Sequence, residues 1–190
     1  DVAPVFTSDA TFSAAENQTS IGTVTATDSD SSSITYTVSG SELAITSGGV
    51  LSFVSAPDYE AKTSFAATVT ASDGSNATTQ AITVNVTDVN DVAPVFTSDA
   101  TFSAAENQTS IGTVTATDAD ASDSVTFTVS GSELSITSAG VLTFVSAPDY
   151  ESKTSYTARV TATDGTNSTT QSITVNVTNV GGDFKGTAID

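Results

Sequence analysis

The stretch ITVNVTDVNDVAPVF, residues 82–96, contains the two features that decide the fold of this 190-residue chain. In its first half, the apolar residues Ile82, Val84 and Val86 are separated by single polar residues. Alternation of this kind indicates a β-strand with one face on a core and the other in water. Two aspartates, an asparagine and a proline follow, and a second apolar run begins at Val95. The stretch therefore predicts the end of one β domain, an acidic linker and the start of the next domain.

The rest of the chain is an internal duplication. Residues 1–28 recur letter for letter as residues 91–118, and after a one-residue insertion the similarity continues to the end of the second copy. A period of about ninety residues exceeds the roughly 20 to 50 residues of a solenoid unit and suits a small domain with its own core. We expect one repeat at residues 1–90, a second at 91–180, and a tail or the start of a further segment at 181–190.

Period-two alternation continues through both repeats and predicts an all-β fold. Threonine, valine and isoleucine dominate, and turn signals such as Asp73-Gly74 recur about every eight to twelve residues. About seven short strands per repeat predict an antiparallel, two-sheet, seven-stranded Greek-key sandwich of the immunoglobulin type. In the first repeat the predicted strands lie near residues 5–14, 20–27, 33–39, 42–46, 50–53, 63–72 and 79–88.

The aromatic residues indicate that the two repeats share one core design. They recur at matching positions, and the only exchanges are between phenylalanine and tyrosine. Large apolar side chains at fixed strand positions are typical of packing rather than of a ligand site. The matched set is Phe6, Phe12, Tyr36, Phe53, Tyr59 and Phe65 in the first repeat and Phe96, Phe102, Phe127, Phe144, Tyr150 and Tyr156 in the second.

The composition restricts the partners and the chemistry. Four basic residues stand against 22 acidic ones, so the net charge of −18 disfavours nucleic acid and anionic membranes and favours cations. The absence of histidine and cysteine removes the usual catalytic bases and nucleophiles, and we expect no enzymatic activity. No apolar run approaches the roughly 18 residues of a membrane span, so membrane insertion is not expected.

Most of the acidic residues occupy matching places in the two repeats. Fifteen of the 22 lie in predicted loops or at strand ends, nine in the first repeat and its linker and six in the second. The fifteen are Asp1, Glu16, Asp28, Asp30, Asp58, Glu60, Asp73, Asp88, Asp91, Glu106, Asp118, Asp120, Asp149, Glu151 and Asp164.

These positions resemble the extracellular cadherin repeat. The marks of that family are a glutamate followed by asparagine, a DxD, a DxE, an aspartate in an AxDG turn and a DxNDxAP linker, and all occur here in order, with the loop motifs present in both repeats. The variants AEN and DYE are similar to those in the cadherin-like repeats of large bacterial surface adhesins. The resemblance covers the chain up to about residue 180 and implies an extracellular location.

Resemblance to this family implies that about three calcium ions bind at the central junction through oxygen ligands. Carried over position by position, the ligands are Glu16, Asp58, Glu60, Asp88, Asn90, Asp91, the Val92 carbonyl, Asp118, Asp120 and Asp164. The two outer ends are expected to hold partial sites that neighbouring repeats complete. These partial sites comprise Asp1, Asp28, Asp30 and Asp73 at one end and Glu106, Asp149 and Glu151 at the other.

The second repeat departs from the pattern after its last strand. Where the first repeat ends TDVND, the second ends TNVGGD, which places Asn179 and Gly181 at the positions of Asp88 and Asn90. A weakened terminal site, or a following domain of another kind, is consistent with this difference.

The chemistry favours calcium independently of the resemblance. Calcium accepts carboxylate, amide and carbonyl oxygens in irregular geometry, whereas zinc and copper prefer the histidine and cysteine that this chain lacks. An EF-hand does not fit DADASD, because the sixth position from Asp118 is Asp123 rather than glycine and the twelfth is Val129 rather than glutamate. Two carboxylates about 5 Å apart repel by roughly 3 kcal/mol at an effective dielectric near 20, so an empty junction is expected to splay.

Two functions remain open at this point. The first is a passive module, a calcium-stiffened stalk or adhesion element whose nearly identical copies act as a spacer between neighbouring repeats. The alternative is a module that itself binds polysaccharide or a sister repeat. Carbohydrate sites usually need exposed aromatic rings, and here only Tyr59 and Tyr150 are not clearly part of the core.

Overall fold

The computed structural model describes residues 2–31, 33–120 and 124–181. The predicted ligand Asp1 and residues 182–190 of the predicted tail lie outside these ranges. The chain divides into two compact units between Val89 and Asn90. Every regular element in the described ranges is a β-strand, and none of them contains a helix long and apolar enough to cross a membrane.

Within the described ranges, each unit contains nine strands. The first unit has β1 (Val5–Phe6), β2 (Thr11–Ala15), β3 (Ser20–Thr23), β4 (Ala26–Thr27), β5 (Thr35–Val38), β6 (Leu43–Ile45), β7 (Val50–Phe53), β8 (Ser64–Ser72) and β9 (Ala77–Thr87). The second has β10 (Val95–Phe96), β11 (Thr101–Ala105), β12 (Ser110–Thr113), β13 (Ala116–Thr117), β14 (Thr126–Val129), β15 (Leu134–Ile136), β16 (Val141–Phe144), β17 (Ser155–Thr163) and β18 (Ser168–Thr178).

The strands of each unit form two main sheets and one short ribbon. In the first unit the sheets have the orders β2-β9-β8-β5 and β3-β7-β6, and β1 pairs with β4. The second unit repeats this arrangement with the orders β11-β18-β17-β14 and β12-β16-β15, and β10 pairs with β13. The fold of each unit is therefore the expected sandwich.

Two details differ from the sequence-based prediction. The predicted strand 5–14 is two strands, because β1 pairs antiparallel with β4 and β2 then pairs parallel with β9. The predicted strand 20–27 is likewise divided, into β3 and β4. Among the residues that the structure describes, each unit thus has nine strands where seven were expected, and its pairing is mixed rather than purely antiparallel. The chain exchanges partners near Ser8, whose N–H donates to the Thr25 carbonyl at 3.3 Å.

The core of each unit lies between its two sheets. Leu51, Val69 and Val84 are completely buried, and each alternates along its strand with more exposed residues, as a half-buried strand requires. Phe53 and Phe65 pack edge to face with ring centroids 5.0 Å apart. Burial of one such side chain stabilises a fold by about 1.5–3 kcal/mol. Tyr59 and its counterpart Tyr150 are partly buried against the two cores.

Candidate metal centre

One buried glutamate organises the exit end of the first unit, where the chain continues into the linker. Glu16 directly follows β2 and is only 3% exposed. Its Oε2 accepts the Tyr59 N–H at 2.7 Å, and its Oε1 accepts the Val89 N–H at 2.9 Å. A single carboxylate thereby joins the start of the sandwich, the DYE loop and the segment after β9.

The residue after this glutamate makes the required turn. Asn17 adopts a left-handed conformation with φ of 61°, and its N–H donates to the Pro57 carbonyl at 3.0 Å. Asparagine tolerates this region better than most residues with a side chain, which gives the glutamate-asparagine pair of the sequence motif a structural reason. Asn107 repeats the conformation in the second unit with the same φ.

The carboxylates around Glu16 form the first exit cluster. Glu16, Glu60 and Asp88 each offer an oxygen atom within 4.8 Å of the others. Asp58, which the sequence analysis places in the same set, is not in this group, and its Oδ1 accepts the Ala61 N–H at 3.2 Å. The DYE motif therefore contributes its glutamate to the cluster.

A second group of carboxylates lies where the chain enters the second unit, and we call it the second entry cluster. Asp118, Asp120 and Asp164 each offer an oxygen within 4.8 Å of the others. Asp120 is 4% exposed, and its Oδ2 accepts the N–H groups of Asp91 and Val92 at 3.2 and 3.0 Å. The linker backbone is thus hydrogen-bonded to Asp120, the buried aspartate of the DxD motif.

The AxDG turn supplies the third member of this cluster. Burial acts to raise the pKa of Asp164, but the N–H groups of Asn167 and Thr166, each 2.6 Å from Oδ1, outweigh it and hold the pKa below its ordinary value. Asn167 also donates from Nδ2 to Asn90 Oδ1 at 2.7 Å. Asp164 is therefore ionised at neutral pH, and the linker asparagine is fixed beside it.

The first entry cluster repeats the architecture of the second, whereas the second exit cluster uses both acids of its DYE motif. Asp28, Asp30 and Asp73 form the first entry cluster, and the Val2 N–H donates to Asp30 Oδ2 at 2.9 Å. The Asp30 N–H, 3.0 Å from Asp28 Oδ1, holds the pKa of Asp28 below its ordinary value. The second exit cluster consists of Glu106, Asp149 and Glu151.

Several buried carboxylate oxygens suit a cation better than they suit the protein alone. A buried oxygen without a hydrogen bond is costly, and such oxygens are rare in folded proteins. In the described part of the chain these oxygens have no hydrogen-bond partner and sit in the entry clusters: Asp28 Oδ2, Asp73 Oδ2, Asp118 Oδ2, Asp120 Oδ1 and Asp164 Oδ2. Purely oxygen-based, acidic and irregular donor sets of this kind match calcium.

Sequence reasoning did not find every residue that shapes these clusters. Asn167 links Asp164 to Asn90, although the motifs that predict the metal ligands do not include it. Its recurrence as Asn76 at the same place in the first repeat was the available signal, and the Asn76 N–H binds Asp73 Oδ1 at 2.6 Å in the same way. The backbone donors to the glutamates are invisible in sequence because any residue type supplies an N–H.

Family models match both repeats. The family model for the cadherin domain matches residues 100–178, and the model for a bacterial immunoglobulin domain matches residues 1–87. Because residues 1–28 are identical to residues 91–118, these two matches do not reflect two different folds.

Curated relatives and solved structures are consistent with this assignment. The chain is 36% identical over 163 residues to the human "Cadherin EGF LAG seven-pass G-type receptor 2" and 33% identical over 190 residues to the Drosophila melanogaster "Protocadherin-like wing polarity protein stan". These alignments cover 77% and 85% of the chain but only 6% and 5% of the relatives' length.

Among solved structures, mouse cadherin-23 EC22-24 and human protocadherin-24 EC1-2 each have a TM-score of 0.77 at 23% identity. Each covers 94% of this chain, which covers 67% and 98% of them respectively. At this level of identity the likeness concerns the fold.

Proposed function

The chain consists of tandem cadherin-like repeats, and from that premise we propose that it is an extracellular stalk or adhesion module that calcium stiffens. The ions bind where residues 88–92 join the two repeats and hold the repeats at a fixed angle. The observation that carries this proposal is the set of buried aspartate oxygens without hydrogen-bond partners in the second entry cluster of the described chain.

The short covalent connection between the repeats supports a metal site shared by the first exit cluster and the second entry cluster. Asp88 belongs to the first exit cluster, and Asp91 donates its N–H to the second entry cluster. Three chain steps separate them and span at most about 11 Å. We propose that eight carboxylates share the ions near this linker, namely the two clusters together with Asp58 and Asp91: Glu16, Asp58, Glu60, Asp88, Asp91, Asp118, Asp120 and Asp164.

Charge explains why calcium stiffens such a linker. Two of these carboxylates about 5 Å apart repel by roughly 3 kcal/mol at an effective dielectric near 20, which favours separation of the two repeats. About three calcium ions contribute +6 against the −8 of the ligands and accept oxygens from both repeats at once. Cation binding thus converts mutual repulsion into a shared coordination shell. Asn90, held by Asn167, and the Val92 carbonyl complete the ligand set with uncharged oxygens.

A large bacterial surface adhesin is the context that we propose for this module. The AEN and DYE variants and the match of the first repeat to a bacterial immunoglobulin domain support it. A carbohydrate-binding role has less support, because Tyr59 and Tyr150 pack partly against the cores instead of standing free as stacking surfaces. We propose no catalytic role, in agreement with the absence of histidine and cysteine.

Small-angle X-ray scattering of the 190-residue chain, in millimolar calcium and in chelator, tests the proposal. We expect a single well-defined maximum dimension in calcium and a broader distance distribution in chelator. Substitution of Asp118→Asn and Asp120→Asn should remove the difference by deleting two ligand charges. The matched control replaces the exposed acids Asp9 and Asp99 with asparagine, since neither belongs to a cluster. Identical scattering of the unsubstituted chain in both buffers would contradict the proposal.

A further inference from the structure

The two exit clusters differ at two positions that change their chemistry. Asn179 in the second repeat corresponds to Asp88 in the first, and Ser152 corresponds to Ala61. Aspartate and alanine have no side-chain donor at neutral pH, whereas asparagine and serine each have one. The duplication thus provides an internal comparison of two exit clusters in the same fold.

Both new donors are directed at carboxylates of the second exit cluster. Asn179 Nδ2 donates to Glu151 Oε1 at 3.0 Å, and Ser152 Oγ donates to Asp149 Oδ2 at 2.8 Å. The other end of the asparagine amide is also engaged, because Asn179 Oδ1 accepts the Gly181 N–H at 2.6 Å. The amide thus has a partner at each end, and two of the three acids receive a hydrogen bond from a side chain of their own repeat.

The backbone around the two exit clusters is the same. Val180 N–H donates to Glu106 Oε1 at 3.0 Å, as Val89 N–H donates to Glu16 at 2.9 Å. The Glu16 N–H donates to the carbonyl of Thr87, the last residue of β9, and the Glu106 N–H donates to that of Thr178, the last residue of β18, both at 3.1 Å. Residues 88 and 179 therefore occupy equivalent backbone positions, and the difference between the clusters at these positions lies in side-chain chemistry.

We infer that Asn179 and Ser152 take the place of a cation in the second exit cluster, so that this cluster binds calcium far more weakly than it would with the first repeat's residues. The inference rests on the proposed function. Asn179 removes one ligand charge, and Gly182, at the position of Asp91, removes another. Calcium affinity depends on the number of charged ligands, and here hydrogen bonds to Glu151 and Asp149 must also be displaced.

Backbone amides offer a separate reporter for each cluster. The Tyr59 and Val89 N–H groups bind Glu16, and the Tyr150 and Val180 N–H groups bind Glu106. Titration of the ¹⁵N-labelled 190-residue chain with calcium chloride, followed by NMR, measures the midpoint of each pair of amides. Three forms are compared: the unsubstituted chain, Asn179→Asp with Ser152→Ala, and the converse Asp88→Asn with Ala61→Ser.

We expect the Asn179→Asp, Ser152→Ala form to shift the midpoint of the Val180 and Tyr150 amides to calcium concentrations at least about tenfold lower. The converse form should raise the midpoint of the Val89 and Tyr59 amides. Each comparison sets one cluster with its own residues against the same cluster with the exchanged residues, so the sequence beyond residue 181 is the same in both forms. An unchanged midpoint at Val180 after the exchange overturns this inference, even if the Val89 amide responds. Failure of the Val89 amide to respond in the unsubstituted chain contradicts the proposed function instead.

Discussion

At the scale of single residues, the most constrained group is the carboxylate that begins each exit cluster. Glu16 and Glu106 are 3% and 5% exposed, yet both oxygens of each accept a backbone N–H. A buried charge is tolerable only when it is paired or well hydrogen-bonded, and these two are hydrogen-bonded by the protein itself. They therefore have a structural role as well as a proposed role in ligation.

Replacement of Glu16 by glutamine separates the two roles. In metal-free buffer, Glu16→Gln places an NH₂ group against one of two N–H donors, so we expect a loss of about 1–3 kcal/mol of unfolding free energy. The measurement is denaturant unfolding in chelator. Glu42→Gln is the matched control, because Glu42 forms an exposed ion pair with Lys62 and such pairs contribute under about 1 kcal/mol. Equal stability of the two variants in chelator would show that the backbone bonds to Glu16 contribute little.

At the scale of strands, alternation decides which residues hold the sandwich together. Leu51 is completely buried, whereas its neighbour Val50 on β7 is 53% exposed. The second unit repeats the contrast with Leu142 at 0% and Val141 at 46%. Strand geometry directs adjacent side chains to opposite faces, so apolar neighbours can have very different energetic weight.

Alanine substitutions on β7 test this contrast. Leu51→Ala is expected to cost about 2–5 kcal/mol, because it removes buried methyl groups and leaves a cavity. Val50→Ala should cost under about 1 kcal/mol, mainly through lower strand propensity. Thermal and urea unfolding of the two variants measure the difference, and the Leu142→Ala and Val141→Ala pair repeats it in the second unit. Similar losses for Leu51→Ala and Val50→Ala would mean that the strand does not lie in the register described.

The same strands show how far sequence alone leads. Alternation locates β7, β8 and β9 to within a few residues, because each of these strands keeps the same face against the core along its whole length. It does not reveal the exchange of partners near Ser8, since the chain remains extended on both sides of it. It also cannot give the parallel pairing of β2 with β9, which depends on contacts between distant residues. The acidic positions were predictable as motifs, whereas the contact of Asn179 with Glu151 required coordinates.

At the scale of the whole molecule, 22 acids against four basic residues make like-charge repulsion a general feature of the chain. The acids are concentrated, since each unit has an entry cluster and an exit cluster. Concentrated charge of one sign destabilises a folded chain until counter-ions bind. Stability and cation concentration should therefore be linked.

Calcium is expected to raise the thermal unfolding midpoint. An ion that binds only the folded chain adds about 2.7 kcal/mol at a free concentration one hundred times its dissociation constant. Differential scanning calorimetry in calcium and in chelator measures the shift, with sodium chloride at equal ionic strength as the control for simple screening. Magnesium provides a second control, because it demands regular octahedral geometry and should stabilise less. Equal midpoints in calcium and sodium chloride would contradict specific binding.

The parallel alignment of β2 with β9 has a mechanical consequence. Five consecutive pairs, from Thr11 with Thr83 to Ala15 with Thr87, join the strand near the entrance of the first unit to the strand at its exit. A tensile load on the two ends of the unit therefore pulls these strands along their length in opposite directions and stresses all of the pairs together. Rupture then requires many hydrogen bonds to break at once rather than one after another.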